Sequence, residues 1–281
     1  MRNNVPIDYA LYKLNESFPV SAISNELVTA HDIEEAKQVH SNMGFDRVPI
    51  TSGGTIGTYY DSNTDSQVTI GIGDAISEST GLLETLGYLS QKEFYFVLSG
   101  NKISGIVHYS DLNNPLVSIG IYAQIAYCEN TIRNFARYKG QPGADHGKKF
   151  LDGINSASSN AIDVNRALSQ FNAKKKSQTE TDLFDELYFD EELRLFRETI
   201  KSGLDQEKAG EFEGFVGLSN CTIKNFGKMR NQVMHSNPEI IKERCDINKW
   251  LDLLQTCQLI MNVIEGKTAF NKSAKPPARN F

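Results

Sequence analysis

At 281 residues the chain is long enough for two ordinary domains or one large one, and for a sizeable core. Its 40% apolar and 23% charged residues and mean hydropathy of −0.38 are those of a soluble globular protein and exclude a membrane-embedded one. Met1 to Pro6 carries no apolar leader core, so a cytoplasmic protein with no membrane partner is expected. Cys128, Cys221, Cys245 and Cys257 lack C-x-x-C spacing and read as reduced thiols, with no metal site. Charge is unevenly divided: six Lys/Arg against fourteen Asp/Glu up to Pro115, a net of −8, then 23 against 21, a net of +2. The second part holds Lys174-Lys175-Lys176 and a basic tail, so it is the part expected to meet a polyanion.

After a short arm, Val20 to Ile23 reads as a strand, and Ile33, Ala36, Val39 and Met43 recur at helical intervals. Two strands follow, Arg47 to Ile50 and Thr55 to Tyr60, across a turn at Thr51-Ser52-Gly53-Gly54. The order then repeats. Val68 to Ile72 is a strand, Gly81 to Gln91 a helix, and Phe94 to Leu98 and Ile103 to Tyr109 two strands around Ser99-Gly100-Asn101-Lys102. Asp61 and Asp111 close the two copies, 50 residues apart. Each β-α-β-β copy is too small to bury its own sheet face, so the pair should fold as one unit. His31-Asp32-Ile33-Glu34-Glu35 reads as a helix cap, and Gly71-Ile72-Gly73 as a strand end.

The ending Gly105-Ile106-Val107-His108-Tyr109-Ser110-Asp111-Leu112, with Ile56-Gly57-Thr58-Tyr59-Tyr60-Asp61 in the first copy, resembles the tandem CBS pair. The resemblance spans about Val5 to Asn114, with His108 standing where the family has a hydroxyl. It implies an adenine nucleotide, of the AMP, ADP or ATP class, held between the repeats. An aspartate can accept from both ribose hydroxyls, and a threonine near a helix N-terminus can donate to phosphate. Thr58 and Asp61 are the first expected contacts, with Arg47, His108 and Asp111 beside them. The alternative is a CBS pair that binds nothing and serves as a dimerisation platform.

Pro115 suits the first turn of a new helix, and Ile121, Ile125, Cys128, Ile132 and Phe135 make one stripe along it to Tyr138. Glu129 and Arg133 are spaced for an i,i+4 ion pair. Gly140-Gln141-Pro142-Gly143 ends this helix, and a mobile insertion is expected over about 140–181, with a helix at Ala161 to Phe171. Leu183, Leu187, Leu193, Phe196 and Ile200 mark another helix, where Asp185, Glu186, Asp190, Glu191 and Glu192 read as a solvated face. Ser219 to Met234 is a capped helix stopped by Pro238, and Asp246 to Ile264 a last one around Trp250.

Near the end of the penultimate helix stands Arg230-Asn231-Gln232-Val233-Met234-His235. An arginine can hold phosphate by two hydrogen bonds and a histidine can move a proton, the least that RNA cleavage without metal requires. On a straight helix Arg230 lies about 140° from His235, whereas Asn231 shares the histidine's face. With Glu129-Asn130-Thr131-Ile132-Arg133, this Arg-polar-x-x-x-His pattern resembles the HEPN family from Pro115 to about Gly266. The resemblance implies a metal-independent endoribonuclease of the toxin or antiphage-defence type, built as a homodimer that joins two motifs in one groove. Catalytic residues would be Arg230 on the scissile phosphate, His235 as acid to the leaving 5′-oxygen, and Asn231 as orienter of His235 or the phosphate. Partners would be RNA, the nucleotide and an antitoxin; no cofactor is required for catalysis.

The expected fold class is therefore α+β: a β-α-β-β CBS pair over 1–114, with repeats at about 20–64 and 68–114, then an all-α HEPN-like helical bundle over 115–268 and a basic flexible tail over 269–281. The runner-up is a non-catalytic nucleotide-sensing adaptor or RNA-binding regulator that uses the HEPN fold to dimerise.

Overall fold

Two helix-and-hairpin repeats, tied together by exchanged strands, form the β-containing part of the chain. The computed structural model describes residues 18–140, 144–158, 162–177, 181–203, 218–235 and 239–264; the expected tail and the breaks at 141–143 and Pro238 lie outside them. The architecture is mixed α and β, in two compact units: Met1–Gly120 with Ser236–Leu251, and Ile121–His235 with Asp252–Phe281.

In the first unit a 3-10 turn at Val20–Ala22 precedes β1 (Asn25–Glu26) and α1 (Ile33–Met43). Asp32 starts α1 by accepting the Glu35 N–H at 2.9 Å, while Glu35 accepts the His31 N–H at 2.7 Å. The two bonds cap the start of α1, as the sequence indicates. Gly44, left-handed at φ 74°, ends the helix by donating to the His40 carbonyl. Then follow β2 (Arg47–Ser52), β3 (Thr55–Asp61), β4 (Ser66–Thr69), β5 (Ala75–Ser77), α2 (Leu82–Gln91), β6 (Phe94–Ser99), β7 (Lys102–His108) and a 3-10 turn at Tyr109–Asn113.

Both expected leading strands shift. Val20 to Ile23 turns back on itself, its Val20 carbonyl accepting from Ile23 and Ser24, and strand β1 begins only at Asn25. The second leading strand is Ser66–Thr69, and Ile72, 93% exposed, opens a 3-10 turn.

The hairpins β2–β3 and β6–β7 correspond position for position at an offset of 47. Arg47 faces Asp61 as Phe94 faces His108, and the register slips at Ile50/Thr51 and again at Val97/Leu98. Each two-residue loop opens on a positive-φ glycine, Gly53 at 59° and Gly100 at 61°. This register corrects the expected repeat of 50: the counterpart of Asp61 is His108, and that of Asp111 is Thr64.

The leading strands are exchanged. β1, from the first repeat, pairs antiparallel with β7 of the second, and β4, from the second, pairs antiparallel with β3 of the first. The sheets therefore run β1-β7-β6-β5 and β2-β3-β4, and neither is complete within one repeat. Ala30, Ala36, Val48, Ile50 and Tyr60 fill one core; Tyr59, Phe94 and Phe96 anchor another.

A later segment returns to this unit. The Asn113 side chain donates to the Ile241 carbonyl at 2.7 Å and accepts its N–H at 2.9 Å, and Trp250 donates to the Ile240 carbonyl at 3.1 Å. Ile240, Ile241, Ile247 and Trp250 are all buried.

Among the described residues, every regular element of the second unit is helical. α3 (Pro115–Gly140) and α8 (Arg244–Ile264) begin in the first unit; α4 (Ala144–Ser158), α5 (Val164–Lys176), a 3-10 turn at Leu183–Glu186, α6 (Phe189–Gly203) and α7 (Asn220–Met234) lie within the second. Where a mobile insertion is expected, α4 and α5 pack Leu151, Ile154, Ala167 and Phe171 with Leu183 and Phe184. The stripe is hidden in the sequence because Ser, Asn and Lys fill the outer faces of both helices. The four cysteines are free thiols; Cys128 and Cys257 are buried, and burial, with a hydrogen bond between the two thiols, pushes the Cys128 thiol well above its ordinary range. Among the described residues no helix is long and apolar enough to cross a membrane.

Candidate functional sites

The first unit contains a cavity of about 540 Å³ between the β1 end of one repeat and the β6–β7 hairpin of the other. Arg47, His108 and Asp111 line it; Thr58 and Asp61 do not. Thr58 Oγ1 instead accepts from Gln67 Nε2 at 2.8 Å on the β3–β4 surface. Asp61 sits behind the cavity wall, where its Oδ1 lies 3.1 Å from Arg47 Nη1 and accepts the Asn63 N–H at 2.9 Å.

Arg47 is fixed on several sides. Nη1 also donates to the Asp46 carbonyl at 3.0 Å, and the guanidinium lies 5.3 Å from the centre of the Phe94 ring. His108 caps the 3-10 turn that follows it: its Nδ1 accepts the Ser110 N–H at 3.2 Å and contacts Ser110 Oγ at 2.8 Å. The ring nitrogen thus accepts at the head of the turn, and burial holds the imidazole below its ordinary pKa. Asp111 closes the same box by accepting the His108 N–H at 2.7 Å, and its other oxygen accepts from Asn25 at 2.9 Å.

Sequence reasoning missed Glu26, Asp46 and Glu93, which line the cavity with Asp111. Four acidic residues therefore line it beside one arginine. Such a lining suits ligand hydroxyls and at most one phosphate, since each further phosphate would meet carboxylates. The only sequence signal was the net charge of −8, which did not place any one acid.

In the second unit, Ser219 caps α7 by accepting the Thr222 N–H at 3.1 Å, and Ile223, Phe226 and Val233 bury its apolar face. That rotation leaves Arg230 half-buried beside α3. Its Nε donates to Glu129 Oε1 at 2.7 Å and its Nη2 to Oε2 at 3.3 Å. Nη1 donates to Asn231 Oδ1 at 3.3 Å. The Asn231 side chain thus serves the arginine, and only its backbone carbonyl reaches His235, accepting the N–H at 3.0 Å. His235 caps the helix end with its ring exposed.

Glu129 is also 3.8 Å from Arg133, whose Nε donates to Glu192 at 2.5 Å. Glu192 is wholly buried, and burial pushes its carboxyl up to about 8 against the pull of Arg133. The acids expected on a solvated face need correction. Glu186, Glu191 and Glu192 are buried, and each meets a cation from another helix: Lys174 at 2.9 Å, Arg166, and Arg133 respectively. The sequence displays the carboxylates but not the partners, which arrive from distant turns. Among the described residues no group of three or more His, Cys, Asp or Glu side chains is placed to hold a metal ion.

No family model and no curated protein matches the chain. Among solved structures, the CBS domain of a bacterial CNNM/CorC family Mg²⁺ transporter, in complex with ATP, aligns with 40% of this chain and 98% of its own, at 15% identity and a TM-score of 0.31.

Proposed function

We propose that the first unit is a tandem CBS pair that senses an adenine nucleotide and that the second is a HEPN-type, metal-independent endoribonuclease of the toxin or defence class, working as a homodimer. The observation that carries the reading is the end of α7, where an arginine held by Glu129 and an exposed histidine stand five residues apart. In the proposed reaction the 2′-oxygen of RNA bonds to phosphorus while the bond to the 5′-oxygen breaks. His235 gives its proton to the leaving oxygen, and its twin in a second protomer removes the 2′-proton. Because Glu129 takes Nε and Nη2, Arg230 offers phosphate its Nη1 edge, shared with Asn231, in place of a full fork. RNA is the substrate, and an antitoxin is a further proposed partner.

The acidic cavity narrows the nucleotide to the monophosphate end of the AMP, ADP or ATP series, with Asp111 on hydroxyls and Arg47 on the phosphate. Binding would change how two CBS pairs meet, and so how two α7 ends meet. A specific observation favours a second reading, a non-catalytic adaptor or RNA-binding regulator: the Arg230–Glu129 pair also stands as a structural ion pair. Purified protein incubated with total RNA in EDTA, beside Arg230→Ala and His235→Ala, decides between them. Cutting lost in both variants supports the ribonuclease; no cutting with or without AMP supports the adaptor. Calorimetry with AMP and ATP, repeated on Asp111→Ala, tests the cavity, and ATP binding tighter than AMP would refute the charge reasoning.

A further inference from the structure

Glu192 has no exposed surface; one oxygen takes the Arg133 Nε–H, and the other, Oε2, meets no hydrogen-bond partner among the described residues. The charged and titratable groups that bear on it come from three neighbouring helices: Cys128, Glu129 and Arg133 of α3, Arg230 of α7, and, through Cys128, Cys257 of α8. On its own helix Glu191 and Asp190 are engaged by Arg166 and Arg194. A buried carboxylate with one bare oxygen is costly as an anion and much less so as a neutral acid.

We infer that Glu192 is a positioning residue for Arg230: as a neutral acid it leaves Glu129, Arg133 and Arg230 one positive charge in excess, and its ionisation cancels that excess and weakens the hold on phosphate. The inference rests on Arg230 as the phosphate-holding group of the proposed ribonuclease. Two guanidinium groups share the Glu129 carboxylate, so whether Arg230 carries surplus charge depends on the fourth member of the cluster. That member titrates at about 8, just above neutrality. The proton therefore acts on Arg230 without Glu192 touching RNA.

The test uses the full chain, a labelled deoxyoligonucleotide that lacks the 2′-hydroxyl and cannot be cut, and infrared spectra across pH 7 to 9. The wild type should show a protonated carboxylic acid band at pH 7 that disappears with a midpoint near 8 and is missing in Glu192→Gln. Affinity for the oligonucleotide should fall about fourfold over the same range, the size expected for one unit charge acting through partly solvated protein. Glu192→Gln should match the wild type at pH 7 and stay flat. If that variant does not fold, coincidence of the band and the affinity in the wild type decides. No band at pH 7, or an equal fall in both proteins, overturns the inference. RNA left uncut by a protein whose affinity follows Glu192 overturns the ribonuclease reading alone, and no binding at any pH overturns both.

Discussion

Glu129→Ala removes the carboxylate on which two arginines converge, Arg230 at 2.7 and 3.3 Å and Arg133 at 3.8 Å. The Glu129 side chain is only 5% exposed, so water does not replace it, whereas the two arginine side chains are about one-fifth exposed and recover part of their hydration. Breaking a buried pair costs about 3–5 kcal/mol, and the exposure of the arginines places the expected loss near the lower end, about 3 kcal/mol. The assay is urea unfolding of wild type, Glu129→Ala, Arg230→Met and the double variant. The chain has one tryptophan, Trp250, and it belongs to the first unit, so fluorescence follows that unit while far-UV circular dichroism follows the helices. The dichroism midpoint should fall in Glu129→Ala, and the cycle should give a coupling of about 2 kcal/mol. A coupling within about 0.5 kcal/mol of zero would refute the view that Glu129 fixes Arg230.

Glu192 sets a pH dependence of stability. Its folded carboxyl titrates near 8 and an unfolded one near 4.3, so between these values the unfolded chain releases a proton that the native state keeps. This group's contribution makes stability fall as pH rises from about 5 to 8, by on the order of 4 kcal/mol, and levels off above. Glu192→Gln should flatten that slope, and an unchanged slope in denaturation at several pH values would contradict the assignment. Asn113→Ala leaves the N–H and carbonyl of Ile241 unpaired and should cost about 2 kcal/mol, read as a lower midpoint by Trp250 fluorescence; a loss under about 0.5 kcal/mol would mean that water fills the gap. Gly120→Ala places a Cβ 2.6 Å from Leu82 Cδ2 and should lower stability by about 1 kcal/mol, while Gly87→Ala, with open space around it, should raise it by about 0.5–1 kcal/mol. Equal effects at the two glycines in thermal melts would show that packing at Gly120 is looser than described.

What could be read from the sequence was what local chemistry decides. The Asp32 cap, the Gly53 and Gly100 turns, the α3 stripe and the Ser219 cap each depend on a few neighbouring residues, and each stands where expected. β1 was invisible because it consists of two exposed polar residues, Asn25 and Glu26, with no alternation to mark a strand. Its place is set by β7, whose Ile106 lies 81 positions beyond Asn25. The candidate sites divide the same way. Arg230, Asn231 and His235 stand out as a local pattern, but the carboxylate that governs Arg230 comes from 101 positions upstream. Glu129 did carry a signal, an acid between Cys128 and Ile132 on a stripe otherwise apolar, although its spacing pointed to Arg133 as its partner. In the first unit, matching by motif aligned Asp61 with Asp111, whereas hairpin register aligns Asp61 with His108; in that register Asp46 and Arg47 of the first repeat correspond to Glu93 and Phe94 of the second, and all four line the cavity.

The exchange of leading strands bears on how the chain is made. On the ribosome the β2-β3-β4 sheet can close once Thr69 has emerged, but β1 must wait for β7, and the Asn113 amide must wait longer still for Ile241. Until then the surfaces that receive Ile240, Ile241 and Trp250 are uncovered, even though most of that unit has already been synthesised. A fragment ending at Asn114, the natural place to cut by sequence, would therefore lack a segment that belongs to this unit, and a nascent chain lacks it until translation has passed Leu251.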